Sequence, residues 1–170
     1  ARIYAAGAND TWKKEADLIG VTVDTKFGFS VDVSGQARGK ANLAIVGAPG
    51  AGPRTAEDSG AAFIYSRSGR EWNRSAKLTA FDAEKRDIFG DAVGIHRSIA
   101  VVGAPRDDDG GKDAGAVYVF VQGETGGLWE LQEKIVPKDL SGEDNFGDTI
   151  VIREDLLIVG APGQTVKGIR

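Results

Sequence analysis

The chain has 170 residues, a formal net charge of −4 and no cysteine, so disulfides and thiolate metal sites are excluded. The small negative charge, without a block of like charges, argues against nucleic acid and anionic membrane surfaces as partners, and no apolar run approaches the roughly 18 residues that span a bilayer. The 24 glycines are about twice the ordinary share and predict many tight turns.

From the N-terminus onward, three landmarks recur in a fixed order: a Phe-Gly pair, a Gly-Ala-Pro triplet and a tryptophan. The Phe-Gly pairs begin at residues 27, 89 and 146, the triplets begin at residues 47, 103 and 160, and the tryptophans are Trp12, Trp72 and Trp129. The spacings indicate an internal repeat of about 57–60 residues.

Each complete repeat is predicted to form four short strands. In the middle copy, residues 91–96 alternate apolar and polar types, residues 98–103 form an apolar run, and residues 115–122 are β-branched and aromatic. Residues 129–136 alternate again, although they include good helix formers, so a helix is the alternative there. Pro137 and the alternation favour a strand.

Four-stranded repeats of this length are typical of β-propeller blades, so we predict an all-β fold of four-stranded antiparallel blades. The segments, in chain order, are the outer strands of a partial blade, two complete blades, and the inner strands of another partial blade. They occupy residues 1–26, 27–88, 89–145 and 146–170. The phenylalanines of the Phe-Gly pairs are expected to fill the gaps between adjacent sheets.

About three blade-equivalents are too few to close a ring, which takes roughly four to eight blades. The chain begins at Ala1 and has no methionine, so we expect a processed product or a piece of a longer chain. Three alternatives remain open: a fragment of a larger propeller, a partly built segment, or a homo-oligomer. In the homo-oligomer, the two half-blades of neighbouring copies would pair, and two copies would make a six-bladed ring.

The order of the motifs resembles the FG-GAP repeat of integrin α-subunit propellers. It is most similar to the variant found in bacterial and protist surface proteins, in which Phe-Gly, a short strand, VGAP, an acidic loop, GAVYVF and Trp follow one another. This order is seen in VGAPRDDDGGKDAGAVYVF at 102–120 and in WNRSAKLTAFDAEKRDIFGD at 72–91. The resemblance covers nearly the whole chain and implies a propeller of an extracellular or cell-surface protein.

The acidic loop after the second Gly-Ala-Pro is the sharpest candidate for a metal site. Asp107, Asp109 and Asp113 have a spacing suited to calcium, and the alternative is a solvated acidic hairpin. In integrin α-subunits the calcium loop lies between Phe-Gly and Gly-Ala-Pro. Here Asp32 survives in that segment but Lys40 stands where an acid would help, so those metal sites do not carry over.

A second set of acidic residues precedes two of the Phe-Gly pairs and recurs in register. Its members are Asp82, Glu84, Asp87, Asp139, Glu143 and Asp144. We interpret these residues as turn formers, because aspartate accepts hydrogen bonds from the backbone of its own turn.

The remaining motifs give little support to catalysis. His96 is the only histidine and has no nucleophile motif beside it, and the glycine-rich residues 47–54 lack the ending of a phosphate-binding loop. Asn9 and Asn73 each begin a glycosylation sequon. We therefore predict a non-enzymatic extracellular or cell-surface binding or adhesion module with a protein or glycan partner. The alternative is an accessory or structural propeller segment of a larger hydrolase or lyase, or of a multi-subunit assembly.

Overall fold

The computed structural model describes residues 1–7, 9, 11–20, 25–36, 40–123 and 127–165. This part of the chain contains twelve strands in four antiparallel sheets. The strands are β1 (Arg2–Ala6), β2 (Trp12–Asp17), β3 (Val31–Gln36), β4 (Lys40–Ala48), β5 (Ala61–Ser68), β6 (Glu71–Leu78), β7 (Val93–His96), β8 (Ile99–Ala104), β9 (Ala116–Gln122), β10 (Trp129–Ile135), β11 (Thr149–Arg153) and β12 (Leu156–Gly160).

Two sheets have four strands and two have only two. Strands β3–β4–β5–β6 and β7–β8–β9–β10 form the complete sheets, and β1–β2 and β11–β12 form the partial ones. Both complete sheets are meanders in which neighbours in the sequence are neighbours in space. The predicted all-β architecture is confirmed, and β10 shows that the strand interpretation of 129–136 was correct. No helix long and apolar enough to cross a membrane occurs among the described residues.

The four sheets pack face to face in chain order, with a hydrophobic core in each of the three gaps. The central core lies between the two complete sheets and contains Ile45, Phe89, Ile95 and Tyr118, all of which are buried. The Phe89 ring packs edge-on against Tyr118, with the ring centroids 5.2 Å apart. The phenylalanine of the Phe-Gly pair therefore fills the gap between sheets, as expected from the sequence.

The glycines of the two motifs meet at the closest point between sheets. The Gly90 N–H donates to the Gly103 carbonyl within its own repeat over 2.9 Å, and the same bond joins Gly28 to Gly47. The Gly90 carbonyl of one sheet lies directly against Gly47 of the preceding sheet, where a Cβ on Gly47 would overlap it. Only a residue without a side chain allows this backbone approach.

Substituting alanine for Gly47 tests this packing. The added Cβ would overlap the Gly90 carbonyl and the Ser30 hydroxyl, so we expect a loss of roughly 2 kcal/mol in the free energy of unfolding. Chemical denaturation measures the change. Gly123→Ala is the matched control, because the nearest atom to its Cβ would be 3.6 Å away. Equal losses in the two variants would contradict the close-approach argument.

Candidate functional site

One end of the stacked sheets carries the loops that hold most of the predicted site residues. We define this loop face by residues 49–60, 82–88, 105–115 and 139–146. Each loop between a second and a third strand pairs with the turn before the next Phe-Gly. The Glu143 N–H donates to the Lys112 carbonyl over 2.8 Å, and the Phe146 N–H donates to the Ala114 carbonyl over 2.8 Å. The loops are thus fixed by backbone hydrogen bonds that run from sheet to sheet.

Two of the six acidic residues before the Phe-Gly pairs serve their turns, as predicted. The buried Asp87 carboxylate accepts the Glu84 N–H over 2.6 Å, and the buried Asp144 carboxylate accepts the Ser141 N–H over 2.7 Å. Both bonds span three residues and close the turn. The other acids of the set are exposed or half-buried, and Asp82 has a different role.

Ionisation of the buried Asp87 carboxyl is unfavourable in the folded protein. Burial raises the pKa of its carboxyl to about 6, with the negative charges of Asp107, Glu84 and Asp108 adding to the effect and the Glu84 N–H opposing it. A raised pKa means that the folded protein holds the proton more tightly than the unfolded chain. The contribution of Asp87 to stability is therefore most favourable below pH 4 and is lost as the pH rises towards 6.

The upward shift of the Asp87 pKa predicts the effect of Asp87→Asn. The amide keeps an oxygen for the Glu84 N–H and removes the buried charge, so we expect the variant to gain about 1–2 kcal/mol over the wild type at pH 7 and little at pH 4. Thermal unfolding across this pH range measures the difference. Asp139→Asn, at an exposed aspartate of the neighbouring turn, is the control. An advantage for Asp87→Asn that does not grow with pH would contradict the argument.

Asp82 belongs to a polar cluster that spans the gap between the two complete sheets. We call it the Lys134 cluster, and its members are Asp82, Asp107, Asp109, Tyr118 and Lys134. The Lys134 ammonium lies 2.8 Å from Asp82 Oδ2, 2.8 Å from Asp107 Oδ2 and 2.7 Å from Asp109 Oδ2. Tyr118 Oη lies 2.7 Å from Asp82 and 2.8 Å from Asp107, and the ammonium lies 5.2 Å from the centre of the Tyr118 ring.

The charges in this cluster stabilise one another. Burial lowers the pKa of Lys134, but the hydrogen bonds to Asp107, Asp109 and Asp82 outweigh it and raise the pKa above its usual value. Burial raises the pKa of Asp82, but Lys134 and Tyr118 outweigh it, and the net shift is downward. Burial and the two carboxylates raise the pKa of Tyr118. At neutral pH the cluster thus holds an ammonium and a neutral phenol.

At the corresponding position of the preceding gap, the described residues are apolar. Ala51 stands four residues after Gly47, as Asp107 stands after Gly103, and Phe63 stands where the second copy has Tyr118. Ala51 and Phe63 are both buried in an apolar core. The same backbone frame therefore carries an apolar contact at this position in one gap and a charged one in the next. The preceding gap has its ion pair elsewhere, between Arg67 and Glu15 at 2.6 Å.

The Lys134 cluster bears directly on the predicted calcium ligands. Asp107 and Asp109 lie together on the Lys134 ammonium, whereas Asp113 takes no part, and its backbone N–H donates to Asp108 Oδ1 over 2.7 Å. In the described residues no group of three or more acidic or histidine side chains is arranged to hold a metal ion. Calcium binding at this loop stays a prediction, and an ion would have to compete with Lys134.

Removing the ammonium should expose this competition. We expect Lys134→Met to lose about 3 kcal/mol in the free energy of unfolding, because it leaves carboxylates without their cation. Millimolar calcium should then raise the melting temperature of Lys134→Met more than that of the wild type or of Lys138→Met, which alters an exposed lysine. A calcium shift of equal size in all three proteins would contradict Lys134 as the competitor.

A cleft of about 680 Å³ opens on the loop face beside the Lys134 cluster. Its lining is almost entirely charged, with four basic and three acidic residues. They are Lys85, Arg86, Arg106, Lys112, Asp108, Asp113 and Glu143. Sequence reasoning missed this cleft because its residues come from three loops that are separate in the sequence and are neighbours only in the folded chain.

The remaining sequence candidates lie away from the cleft. Asn73 is exposed on β6, and Asn9 is also exposed. The middle residue of the second sequon, Asp10, lies outside the described residues. Both glycosylation sites stay predictions. His96 ends β7 and is half-buried. Asp32 is structural, since its carboxylate accepts the Ile95 N–H over 2.9 Å and so ties β3 to β7.

Comparison with known protein families gives one match. The model of the FG-GAP repeat family matches residues 72–120 and 129–169, which together are more than half of the chain. These two ranges include every member of the Lys134 cluster and every residue named for the cleft. A search of curated proteins finds no match.

Proposed function

The chain belongs to the FG-GAP repeat family, and we propose that it is part of a non-enzymatic binding or adhesion module of an extracellular or cell-surface protein. The four-stranded sheets are β-propeller blades, as membership of this family implies. The proposed partner is a protein or a glycan, bound by the charged cleft on the loop face. That cleft, built on loops whose backbones are hydrogen-bonded from blade to blade, is the observation that carries the proposal.

The chemistry of the cleft favours a polar ligand. Its volume of about 680 Å³ lies within the usual range of ligand sites, roughly 300–1,000 Å³. Arg86, Arg106 and Lys112 are exposed at its surface and can donate to carboxylates, sulfates or hydroxyls. Glu143 and Asp108 can accept from hydroxyl or amide groups. Acidic glycans and acidic protein segments offer both kinds of partner.

Two side chains beside the cleft, Lys134 and Tyr118, support the non-enzymatic part of the proposal. A lysine that serves as a base or nucleophile needs a lowered pKa, and the pKa of Lys134 is raised. The pKa of Tyr118 is also raised, so its phenolate is not available at neutral pH. Both side chains are instead held in place between two blades.

A second candidate is a structural segment of a larger enzyme or assembly. Exposed apolar residues favour it, namely Leu156 and Ile158 on β12 and Val31 on β3. Such residues mark places where further protein surface packs. This candidate needs no ligand in the cleft, so a binding experiment separates it from the first.

The cleft can be tested with charge-matched variants on arrays of glycans and acidic peptides. We expect salt-sensitive binding that falls by about tenfold in Arg106→Ala/Lys112→Ala, because two donors at the cleft are lost. Lys13→Ala/Arg70→Ala removes the same charge at exposed positions away from the cleft and should bind like the wild type. An array without binders, or equal losses in both double variants, would favour the structural candidate.

A further inference from the structure

The repeat tryptophans of the two complete blades have different surroundings. In the first gap, between the β1–β2 sheet and the next blade, Trp72 Nε1 donates to Glu15 Oε1 over 2.8 Å, and Arg67 donates to the same carboxylate over 2.6 Å. Trp129 is the corresponding residue at the second gap, between the two complete blades. Its Nε1 is buried and has no hydrogen-bond partner among the described residues. A buried N–H without an acceptor is unfavourable and requires an explanation.

The strand register identifies the residues of the second gap that correspond to Glu15 and Arg67. Glu15 and Ser75 correspond to each other, because each is the bulge residue of a fourth strand and stands three positions after the repeat tryptophan. Arg67 and Gln122 correspond because each stands seven positions after the glycine that precedes the third strand. In the second gap, a hydroxyl and a neutral amide therefore replace the carboxylate and the guanidinium.

A pocket of about 310 Å³ lies among these residues, at the lower limit of the usual range of ligand sites, roughly 300–1,000 Å³. Its described lining comes from both complete blades and consists of Ser75, Ala76, Gln122, Gly127, Leu128 and Trp129. Ser75 does not serve the indole, since its hydroxyl donates to the Ile64 carbonyl of its own sheet over 3.2 Å. The pocket lies at the end of β9 opposite the loop face, so it is separate from the charged cleft.

The groups around the pocket favour a neutral ligand. Its described lining carries no charged side chain, so a carboxylate there would lack the cation that is present in the first gap. The Trp129 N–H is only a donor, whereas the Gln122 amide can both donate and accept. A ligand with a carbonyl and an N–H can meet both groups. Ala76 and Leu128 offer apolar contact to an alkyl group beside them.

We propose that this pocket binds a small neutral amide of the acetamide class. The amide carbonyl accepts from Trp129 Nε1, and the amide N–H donates to the Gln122 side chain. The methyl group packs against Ala76 and Leu128. The ligand thereby takes the place that the Glu15 side chain occupies in the first gap, where the chain supplies its own acceptor.

Nuclear magnetic resonance of the indole N–H groups tests the proposal on the chain as it is, because each of the three tryptophans gives one peak. Acetamide should move the Trp129 peak downfield until it saturates, since the N–H gains an acceptor. The Trp72 peak is the internal control, because its N–H is already bonded to Glu15. The Trp12 peak reports general solvent effects, since this side chain is 71% exposed. A Trp129 peak that does not move, or equal shifts of all three peaks, would overturn the proposal.

Two matched variants assign the peaks and locate the binding. Trp129→Phe removes the donor and should abolish every response to acetamide. Trp72→Phe makes the same change at the tryptophan outside the pocket and should leave the acetamide response of the Trp129 peak as it is in the wild type. Loss of that response in Trp72→Phe, with the melting temperature kept, would place the binding elsewhere.

Acetate is the charged counterpart of acetamide and tests the preference for a neutral group. We expect the Trp129 peak to respond to acetate only at concentrations about tenfold higher, because the described lining supplies no cation to a buried carboxylate. An equal or stronger response to acetate would contradict the assignment to a neutral amide.

Two larger probes distinguish the sources of the amide. N-acetylglucosamine against glucose tests the acetamido group of a sugar, and a capped glutamine peptide against its glutamate counterpart tests a side-chain amide. The probe that moves the Trp129 peak at the lower concentration identifies the source. If neither probe moves the peak, the pocket does not admit an amide carried by a larger molecule, and the proposal fails.

Grafting the residues of the first gap into the second should close the pocket. In Ser75→Glu/Gln122→Arg, the new carboxylate should accept from Trp129 Nε1 and pair with the new arginine, as Glu15 does with Arg67. We expect the Trp129 peak of this variant to lie downfield without ligand and not to respond to acetamide. Its melting temperature should be no lower than that of the wild type, because a buried N–H gains an acceptor. A folded double variant that responds to acetamide like the wild type would overturn the proposal.

Discussion

The architecture depends on one contact between backbones. Gly47 of one blade receives the Gly90 carbonyl of the next, and Gly103 receives the Gly147 carbonyl in the same way. This approach sets the distance between sheets, and the Phe89 ring is buried in the core between them. It also brings each loop between second and third strands within hydrogen-bonding distance of the following turn. The core and the loop face thus have a common cause, which is the absence of a side chain at a few positions.

The loop face gains its chemistry from being shared between blades. Asp82 comes from one blade, while Asp107 and Lys134 come from the next, so the ion pair between Lys134 and Asp82 crosses the gap. Buried ion pairs contribute little net stability once the loss of hydration is counted, and they do penalise other pairings. We therefore expect the pair of Lys134 with Asp82 to favour this arrangement of the two blades. Beside it, the charged cleft stands on loops that cannot rearrange without breaking contacts between blades.

Local patterns were sufficient to predict the fold but not the site. Alternation and β-branched residues predicted strands such as β9 and β10. The motif glycines predicted close packing, because a close backbone approach requires a residue without a side chain at that position. The turn role of Asp87 was predicted on the same basis and is confirmed. The bonds from Lys134 to Asp82 and Asp107 join residues 52 and 27 positions apart, and no spacing rule indicates them. Calcium was predicted from the loop alone, without the lysine that a neighbouring strand places among its carboxylates.

The contrast between the two gaps also restricts how a chain of this type can change its length. Asp139 stands seven residues before Phe146, as Asp82 stands before Phe89, so segment 89–145 carries the acid for a following blade and the lysine for a preceding one. A second copy of 89–145 could follow the first with all charges matched. A copy of 27–88 in that place would supply Lys77, which pairs with Phe63 as Lys134 pairs with Tyr118, but it would set Ala51 and Phe63 where Asp107 and Tyr118 stand. Repeating 89–145 therefore reproduces the whole Lys134 cluster in each new gap, whereas repeating 27–88 reproduces only its lysine and the aspartate before Phe-Gly.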